Sequence, residues 1–230
     1  MLTAKAVLPF SERKLLKLPK NINKCLKDMN TLSTNTQCEY AGTIDIHNLS
    51  MNQFQTNTFV TSDLRNKILP KDIKKVWPET VCYHTHPLPR RDEVFCATKL
   101  FPDSVVTTLP SKADVDIFIK YFPYMQSNII CDSSGFYVID ILDAAENDCI
   151  PLPSAINQTF DQFRKDRFIN DSTVVCNNSV YHVCALEDWK YYINCKLSIQ
   201  LLDDGIHIKY YSYDDIAYLR YATVPGIFIQ

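Results

Sequence analysis

Apolar residues fall at helical spacing in two segments of the chain. The first follows Pro19, a residue that suits the first turn of a helix. Its apolar residues occupy one helical face, at i, i+3, i+4 and i+7: Ile22, Cys25, Leu26 and Met29. The second begins after Ser111, a suitable N-cap, and ends before Pro123. It repeats the same spacing with Val115, Phe118, Ile119 and Phe122.

Short runs rich in β-branched and aromatic residues predict strands in the remainder of the chain. These runs are 38–46, 53–61, 80–84, 128–131, 136–142, 173–176, 180–184, 196–202 and 206–211. The polar stretch 31–36 is interpreted as a linker, and 63–75 and 154–167 are predicted to be further helices. Turn residues join the last six runs in pairs, with the strongest hairpin signal at Asp203-Asp204-Gly205. The pattern indicates an α+β protein, without the regular alternation of a β/α barrel.

The composition is that of an ordinary globular protein. The 230 residues are 46% hydrophobic and 22% charged, so we expect one large domain, or one domain with an extension. A net charge of −2 argues against broad nucleic-acid binding. No segment resembles a secretory signal, and no apolar run approaches the roughly 20 residues of a membrane helix. The expected location is intracellular, in cytoplasm or nucleus, with no membrane partner.

Nine cysteines occur without a C-x-x-C pair or a regular spacing. They are interpreted as free, packed thiols in a reducing compartment rather than as a zinc-thiolate site. His47, His182 and His207 stand apart from any ligand pattern, and surface or core roles are expected for them.

The candidate chemistry of the chain centres on two histidines, His84 and His86, at the end of an apolar run. They are two of only five histidines in the chain. On a strand, alternate side chains point to the same face, so both imidazoles are expected to enter one pocket. Asp114 lies downstream in the first turn of a predicted helix. Glu39 lies upstream in the predicted strand 38–46.

These residue types suit a hydrolytic zinc site, which needs three protein ligands and an open position for water. His84, His86 and Asp114 fit the ligand roles. Zinc lowers the pKa of its water to roughly 7, and a carboxylate outside the ligand set must accept the proton, a role that fits Glu39. A further donor must stabilise the oxyanion, and Ser111 fits that role. The residues alone therefore predict zinc-dependent amide hydrolysis.

The motifs resemble those of the JAMM (MPN+, JAB-domain) family of zinc metalloproteases. That family carries a Glu on an early strand, then His-x-His-Pro, then Ser-x-x-Asp at the start of a helix. Here Glu39 precedes His84-Thr85-His86-Pro87 by 45 positions, and Ser111-Lys112-Ala113-Asp114 opens a predicted helix. The resemblance covers roughly residues 15–145 and implies a JAMM/MPN-like, cytidine-deaminase-like mixed sheet flanked by helices. It implies a metalloprotease domain over 1–150, followed by a C-terminal α+β extension over 151–230.

The resemblance also implies the activity of a deubiquitinase-like isopeptidase. Its substrates would be lysine conjugates of ubiquitin or of ubiquitin-like proteins. Two alternatives stay open: a JAMM-fold hydrolase of small peptides, and a non-catalytic JAMM-like scaffold or virion interaction protein. Scaffolding members of the family usually lose the metal ligands, whereas this chain keeps them.

The chain departs from the family pattern between its two ligand motifs. Residues 88–110 intervene there, a segment of 23 residues that is longer than in the family. An insertion at this place is expected at the mouth of the active-site cleft. Asp92 and Asp103 lie within it and are alternatives to Asp114 as the third ligand. Asp114 is preferred, because the capped amphipathic helix behind it would hold its carboxylate rigidly.

Overall fold

The computed structural model describes residues 13–45, 50–54, 80–88, 104–122, 125–142, 153–176 and 179–221. The strands are β1 (Lys14–Lys17), β2 (Ala41–Asp45), β3 (Ser50–Phe54), β4 (Thr80–Thr85), β5 (Ser104–Thr107), β6 (Met125–Cys131), β7 (Gly135–Ile141), β8 (Thr173–Cys176), β9 (Ser179–Ala185), β10 (Ile206–Ser212) and β11 (Tyr218–Tyr221). The helices are α1 (Lys20–Thr36), α2 (Lys112–Tyr121), α3 (Pro153–Phe163), α4 (Arg167–Ser172), α5 (Leu186–Tyr191), a π-helical segment (Tyr192–Leu197) and α6 (Ser198–Leu202). The helix predicted over 63–75, His47 and the alternative ligands Asp92 and Asp103 lie outside the described residues.

A six-stranded mixed sheet with the order β10-β7-β6-β4-β2-β3 forms the centre of the protein. Strands β4 and β6 run parallel, and the other neighbours in this sheet are antiparallel. Two smaller sheets, β5-β9-β8 and β1-β11, accompany it. Helices flank the central sheet, so the fold is the expected mixed α+β arrangement.

Each face of the central sheet packs against its own hydrophobic core. Strand β7 shows this clearly, because Phe136 and Val138 belong to the core beneath α1, whereas Tyr137 and Ile139 belong to the core beneath α2 and α5. Side chains of a strand alternate between the two faces. A strand that is covered on both faces needs a nearly continuous apolar run, and the sequence shows one at 136–142 that only the buried Asp140 interrupts.

The C-terminal part of the chain completes both the sheet and one of its cores. Strand β10 pairs with β7 along the edge of the central sheet. Trp189, Ile193, Leu197 and Leu201 are fully buried in the core beneath α2. Their spacing of four exceeds the 3.6 residues of an α-helical turn, and the wider π-helical segment between α5 and α6 keeps them on one face.

The strand predicted over 196–202 is therefore wrong, because these residues are helical. The turn that follows has the expected left-handed glycine, with a φ of 75° at Gly205. It leads into β10, which pairs with β7 rather than with the preceding segment. The turn signal at Asp203-Asp204-Gly205 favoured a strand before it, whereas four apolar residues at helical spacing, from Trp189 to Leu201, indicate a helix.

The first helix is longer than predicted, and the stretch 31–36 is not a linker. Helix α1 continues to Thr36 and ends at Gln37, which has a left-handed φ of 55°. Its buried face includes the polar residues Asn23, Asn30 and Ser33, whereas Cys25 is exposed. The helix predicted over 154–167 is divided into α3 and α4, and Asp166 caps the second.

Several local predictions are confirmed. Helix α2 begins after Ser111 and buries the apolar face that the spacing indicated. Strand β4 carries His84 and leads directly into His86. The pairs β6–β7 and β8–β9 are antiparallel, as expected from the turn residues between them. Strand β5 was not predicted.

Gly135, the first residue of β7, lies against β10 with no room for a side chain. A Cβ at this position would overlap the carbonyl oxygen of Tyr211 and lie 2.9 Å from Cζ of Tyr210. We expect Gly135→Ala to separate the two strands and to lower the free energy of unfolding by about 1–3 kcal/mol, as overpacking does. Urea unfolding measures this, with Ser134→Ala as the neighbouring control. An unchanged midpoint for Gly135→Ala would contradict the close approach.

His182 is buried in the three-stranded sheet, and the shift of its pKa predicts that the stability of the protein depends on pH. Its ring stacks on Trp189 with centroids 5.0 Å apart. Burial, assisted by the charge of Arg164, lowers the pKa of His182 to about 4, although the Ile169 backbone opposes this. The pKa in an unfolded chain is about 6.5, so the unfolded state gains this proton first as the pH falls.

The stability contributed by neutral His182 is thus complete above about pH 6.5 and is lost as the pH falls towards about 4. The full effect is about 3 kcal/mol. Denaturant unfolding of the wild type and of His182→Gln at pH values across this window should give a shallower pH dependence for the variant. Parallel curves for the two proteins would show that His182 does not titrate in this way.

Candidate metal centre

The two histidines of the motif lie at the end of β4, in the middle of the central sheet. His84 lies opposite Ala41 of β2 on one side and Ile130 of β6 on the other. His86 follows the strand, and its backbone N–H donates to the carbonyl oxygen of Cys131 at 2.7 Å. Neighbouring strands therefore fix the backbone of both histidines.

Polar residues of α1 hold the chain just after β4. Asn30 is buried, and its Nδ2 donates to the carbonyl oxygens of His86 at 3.0 Å and Cys131 at 3.2 Å. The Thr34 hydroxyl accepts from the backbone N–H of Leu88 at 3.1 Å. The side chain of Gln37 donates to the Leu88 carbonyl at 2.8 Å. The contacts of Asn30 explain why this polar residue lies on the buried face of α1.

The side chains of His84, His86 and Asp114 converge on one point. Nε2 of His84 lies 3.0 Å from Oδ1 of Asp114, and Nε2 of His86 lies 3.4 Å from Oδ2. The two Nε2 atoms are 3.1 Å apart. Ligand atoms about 2.0–2.1 Å from a tetrahedral ion lie about 3.3 Å from one another. The three separations, two of which run to different oxygens of one carboxylate, are close to that value, so this triangle of two imidazoles and one carboxylate could hold a metal ion.

Asp114 reaches this point from the first turn of α2, where it also forms a capping box with Ser111. The Ser111 backbone N–H donates to Oδ2 of Asp114 at 2.6 Å, and the Ser111 hydroxyl accepts from the Asp114 N–H at 3.2 Å. The reciprocal bonds orient the carboxylate. The Ser111 hydroxyl keeps its own proton for donation, because in the cap it acts as an acceptor.

The connection that leads into α2 is held by the C-terminal part of the chain. Strand β5 pairs with β9 over four residues, from Ser104 opposite Ala185 to Thr107 opposite His182. The Ser133 hydroxyl donates to the carbonyl oxygen of Val106, which ties β5 to the β6–β7 turn. The position of Asp114 thus depends on strands that lie before and after it in the sequence.

Glu39 lies in the same electrostatic environment as the three converging side chains. It precedes β2, whose Ala41 is paired with His84. Burial raises the pKa of Glu39, while the charges of His86 and His84 lower it and that of Asp114 raises it. A second carboxylate is therefore electrostatically coupled to the metal-binding group.

The converging side chains shift the pKa values of Asp114 and His86. Burial raises the pKa of Asp114, but the charges and hydrogen bonds of His84 and His86 hold it well below its usual range. Burial lowers the pKa of His86, but Asp114, with smaller contributions from Glu39 and Asp132, raises it to about 9. The site thus favours positive charge at its centre, and a metal cation would take the place of the shared protons.

The structure brings together four of the residues that the sequence nominated, and the charges of the metal-binding group act on the fifth, Glu39. His84, His86 and Asp114 form the one group of three or more His, Cys, Asp or Glu side chains, within the described residues, that could hold a metal. Their ligand atoms lie within 4.8 Å of one another. Ser111 and Glu39 adjoin this group through the capping box and through charge.

Two residues at the site were not predicted from the sequence, namely Asn30 and Thr108. Asn30 follows Leu26 by four positions, so it falls on the apolar face of α1, and a polar residue there was a usable signal. Thr108 contacts His86 from the connection between β5 and α2, and no local pattern marks it.

Six cysteines within the described ranges are free, and three of them, Cys82, Cys131 and Cys184, are buried. No helix in the described part of the chain is long and apolar enough to span a membrane. A comparison of the chain with protein-family models, curated proteins and solved structures finds no match. Its own geometry must therefore support any functional assignment.

Proposed function

We propose that this protein is a zinc-dependent metallopeptidase of JAMM/MPN-like fold that hydrolyses isopeptide bonds to ubiquitin or ubiquitin-like proteins. The observation that carries the proposal is the convergence of two imidazole nitrogens, 3.1 Å apart, on one carboxylate, whose two oxygens lie 3.0 and 3.4 Å from them. A second carboxylate, Glu39, is influenced by the charges of all three side chains, which supports its role. The order of the motifs along the mixed sheet supports the family-level assignment.

Zinc is the metal that best suits these ligands. Two imidazoles and one carboxylate, with a fourth position for water, are a common ligand set of catalytic zinc. Bound zinc supplies Lewis acidity and a water that loses its proton near neutral pH. His84, His86 and Asp114 would hold the ion, and each approaches from a backbone that neighbouring elements fix.

Glu39 would move the protons of the reaction. Hydrolysis of an amide adds water across the C–N bond, so one proton of the water must pass to the departing amine. Glu39 accepts this proton as the water oxygen bonds to the carbonyl carbon, and donates it to the lysine nitrogen as the C–N bond breaks. A carboxylate outside the ligand set is free to perform both transfers.

Ser111 would stabilise the oxyanion of the tetrahedral intermediate. Its oxygen accepts from the Asp114 N–H, which positions the hydroxyl at the edge of the metal group. The remaining hydroxyl proton is then available to the carbonyl oxygen of the substrate. Ser111 is exposed, so a substrate can reach it.

The substrate class rests on the resemblance of the motifs, and a cleavage panel tests it. Zinc-loaded protein is incubated with di-ubiquitins of each linkage and with ubiquitin-like conjugates, alongside Glu39→Gln. Cleavage by the wild type alone supports the isopeptidase and identifies its linkage. If zinc binds stoichiometrically and every conjugate stays intact, the isopeptidase assignment fails. A small-peptide hydrolase or a scaffold protein then takes its place.

A further inference from the structure

We infer that Thr108 is a positioning residue of the metal centre, which fixes the His86 ring with Nε2 directed at the ion. This inference rests on the proposed metal site and adds a residue that the ligand motifs do not include. Thr108 lies between β5 and α2 and is buried. Its Oγ1 lies 3.2 Å from Nδ1 of His86.

The tautomer of His86 decides whether Nε2 can act as a ligand. A neutral imidazole carries its proton on one nitrogen and a lone pair on the other. Nε2 of His86 faces the triangle, so the proton must be on Nδ1 for Nε2 to bind a metal. The Thr108 hydroxyl oxygen accepts that proton in a hydrogen bond, as outer-shell partners of metal-binding histidines do.

Thr108 is itself held by a directional chain of hydrogen bonds from the C-terminal part of the protein. Its carbonyl oxygen accepts from the Tyr137 hydroxyl at 2.7 Å. That hydroxyl in turn accepts from Nε1 of Trp189 at 3.0 Å. An indole N–H can only donate, so the Tyr137 hydroxyl must direct its own proton to Thr108. Both aromatic side chains are fully buried, so the hydrogen bonds from Trp189 through Tyr137 to Thr108 can run in only one direction.

The neighbouring residue Thr107 provides a matched control. It is also buried, but its hydroxyl has no hydrogen-bond partner among the described residues. Valine has nearly the shape of threonine without the hydroxyl. Thr107→Val and Thr108→Val therefore make the same chemical change at adjacent positions. Only Thr108→Val removes a contact to His86.

The test compares zinc affinity in Thr108→Val, Thr108→Ser and Thr107→Val, by competition with a chromophoric chelator. We expect Thr108→Val to bind zinc about 10–100-fold more weakly than the wild type. Thr108→Ser, which keeps the hydroxyl, and Thr107→Val should bind about as tightly as the wild type. The visible spectrum of the cobalt-loaded proteins should change in Thr108→Val alone. Thermal unfolding of the metal-free proteins separates these effects from stability.

The outcomes test this inference separately from the proposed metal site. If the wild type binds no zinc, both the proposed metal site and the inference are wrong. If the wild type binds zinc and Thr108→Val is within about twofold of it, the metal centre stands and Thr108 has no positioning role. Equal losses in Thr108→Val and Thr108→Ser overturn the hydrogen-bond explanation.

A measurement on the unmodified protein covers the case in which Thr108→Val does not fold. Imidazole nitrogen NMR of the zinc-loaded wild type should show His86 with a protonated Nδ1 and zinc on Nε2. Zinc on Nδ1 of His86 would exclude Thr108 as its partner and overturn the inference.

Discussion

Asp114→Asn should lose stoichiometric zinc while keeping its fold. The variant replaces a charged ligand with a neutral amide and leaves two imidazoles, too few for a catalytic zinc site. The loss of affinity should exceed the roughly 100-fold that follows the removal of an outer-shell partner. The asparagine carbonyl can still accept from the Ser111 N–H, which the aspartate does at 2.6 Å, so the start of α2 should persist. Metal analysis after dialysis, with isopeptide cleavage measured in parallel, gives both results.

Asp116→Asn is the matched control, because Asp116 lies two positions further along the same helix and accepts from Asn157 at 3.2 Å. It should retain zinc and turnover. If Asp114→Asn kept a full equivalent of zinc, the third ligand would lie elsewhere, and Asp92 and Asp103 would be the next substitutions.

Glu39→Gln should bind zinc like the wild type and lose about 10²–10⁴-fold in turnover. Glutamine has the size of glutamate and cannot take up the proton of the attacking water. The substitution should therefore separate metal binding from catalysis, unlike a change in a ligand. Single-turnover cleavage of the preferred conjugate, with the zinc content of each sample measured, tests this separation.

Glu187→Gln makes the same chemical change on the exposed surface of α5, where Glu187 pairs with Lys190 at 3.1 Å. A surface pair of this kind contributes little, so the control should match the wild type in both zinc content and rate. A normal rate in Glu39→Gln would show that another group is the base. A loss of zinc in this variant would instead make Glu39 a ligand.

The residues of the candidate site were accessible from the sequence because short-range geometry governs each of them. Extended backbone at the end of β4 places His84 and His86 on one side, and helix capping places Asp114 in the first turn of α2. Alternation and capping each relate residues that are only a few positions apart. The ligand set of a zinc site and the family resemblance linked the two motifs in the prediction, since no local rule relates β4 to α2.

The features that were missed depend on contacts between distant parts of the chain. Strand β5 is four residues long and takes its partner from β9, so its own sequence carries little signal. The segment 196–202 lies directly before a turn signal, which favoured a strand. The burial of Trp189 and Leu197 outweighs that preference in the folded protein. Thr108 has its role only because His86 lies beside it.

The pairing of β5 with β9 also sets an order of events during synthesis. The pairs that hold the connection before Asp114 can form only after β9, which ends at Ala185, has been made. At about 5–20 residues per second, β9 is complete about 4–14 s after Asp114 is made. A nascent chain that displays both ligand motifs without β9 should therefore bind metal more weakly than the folded protein.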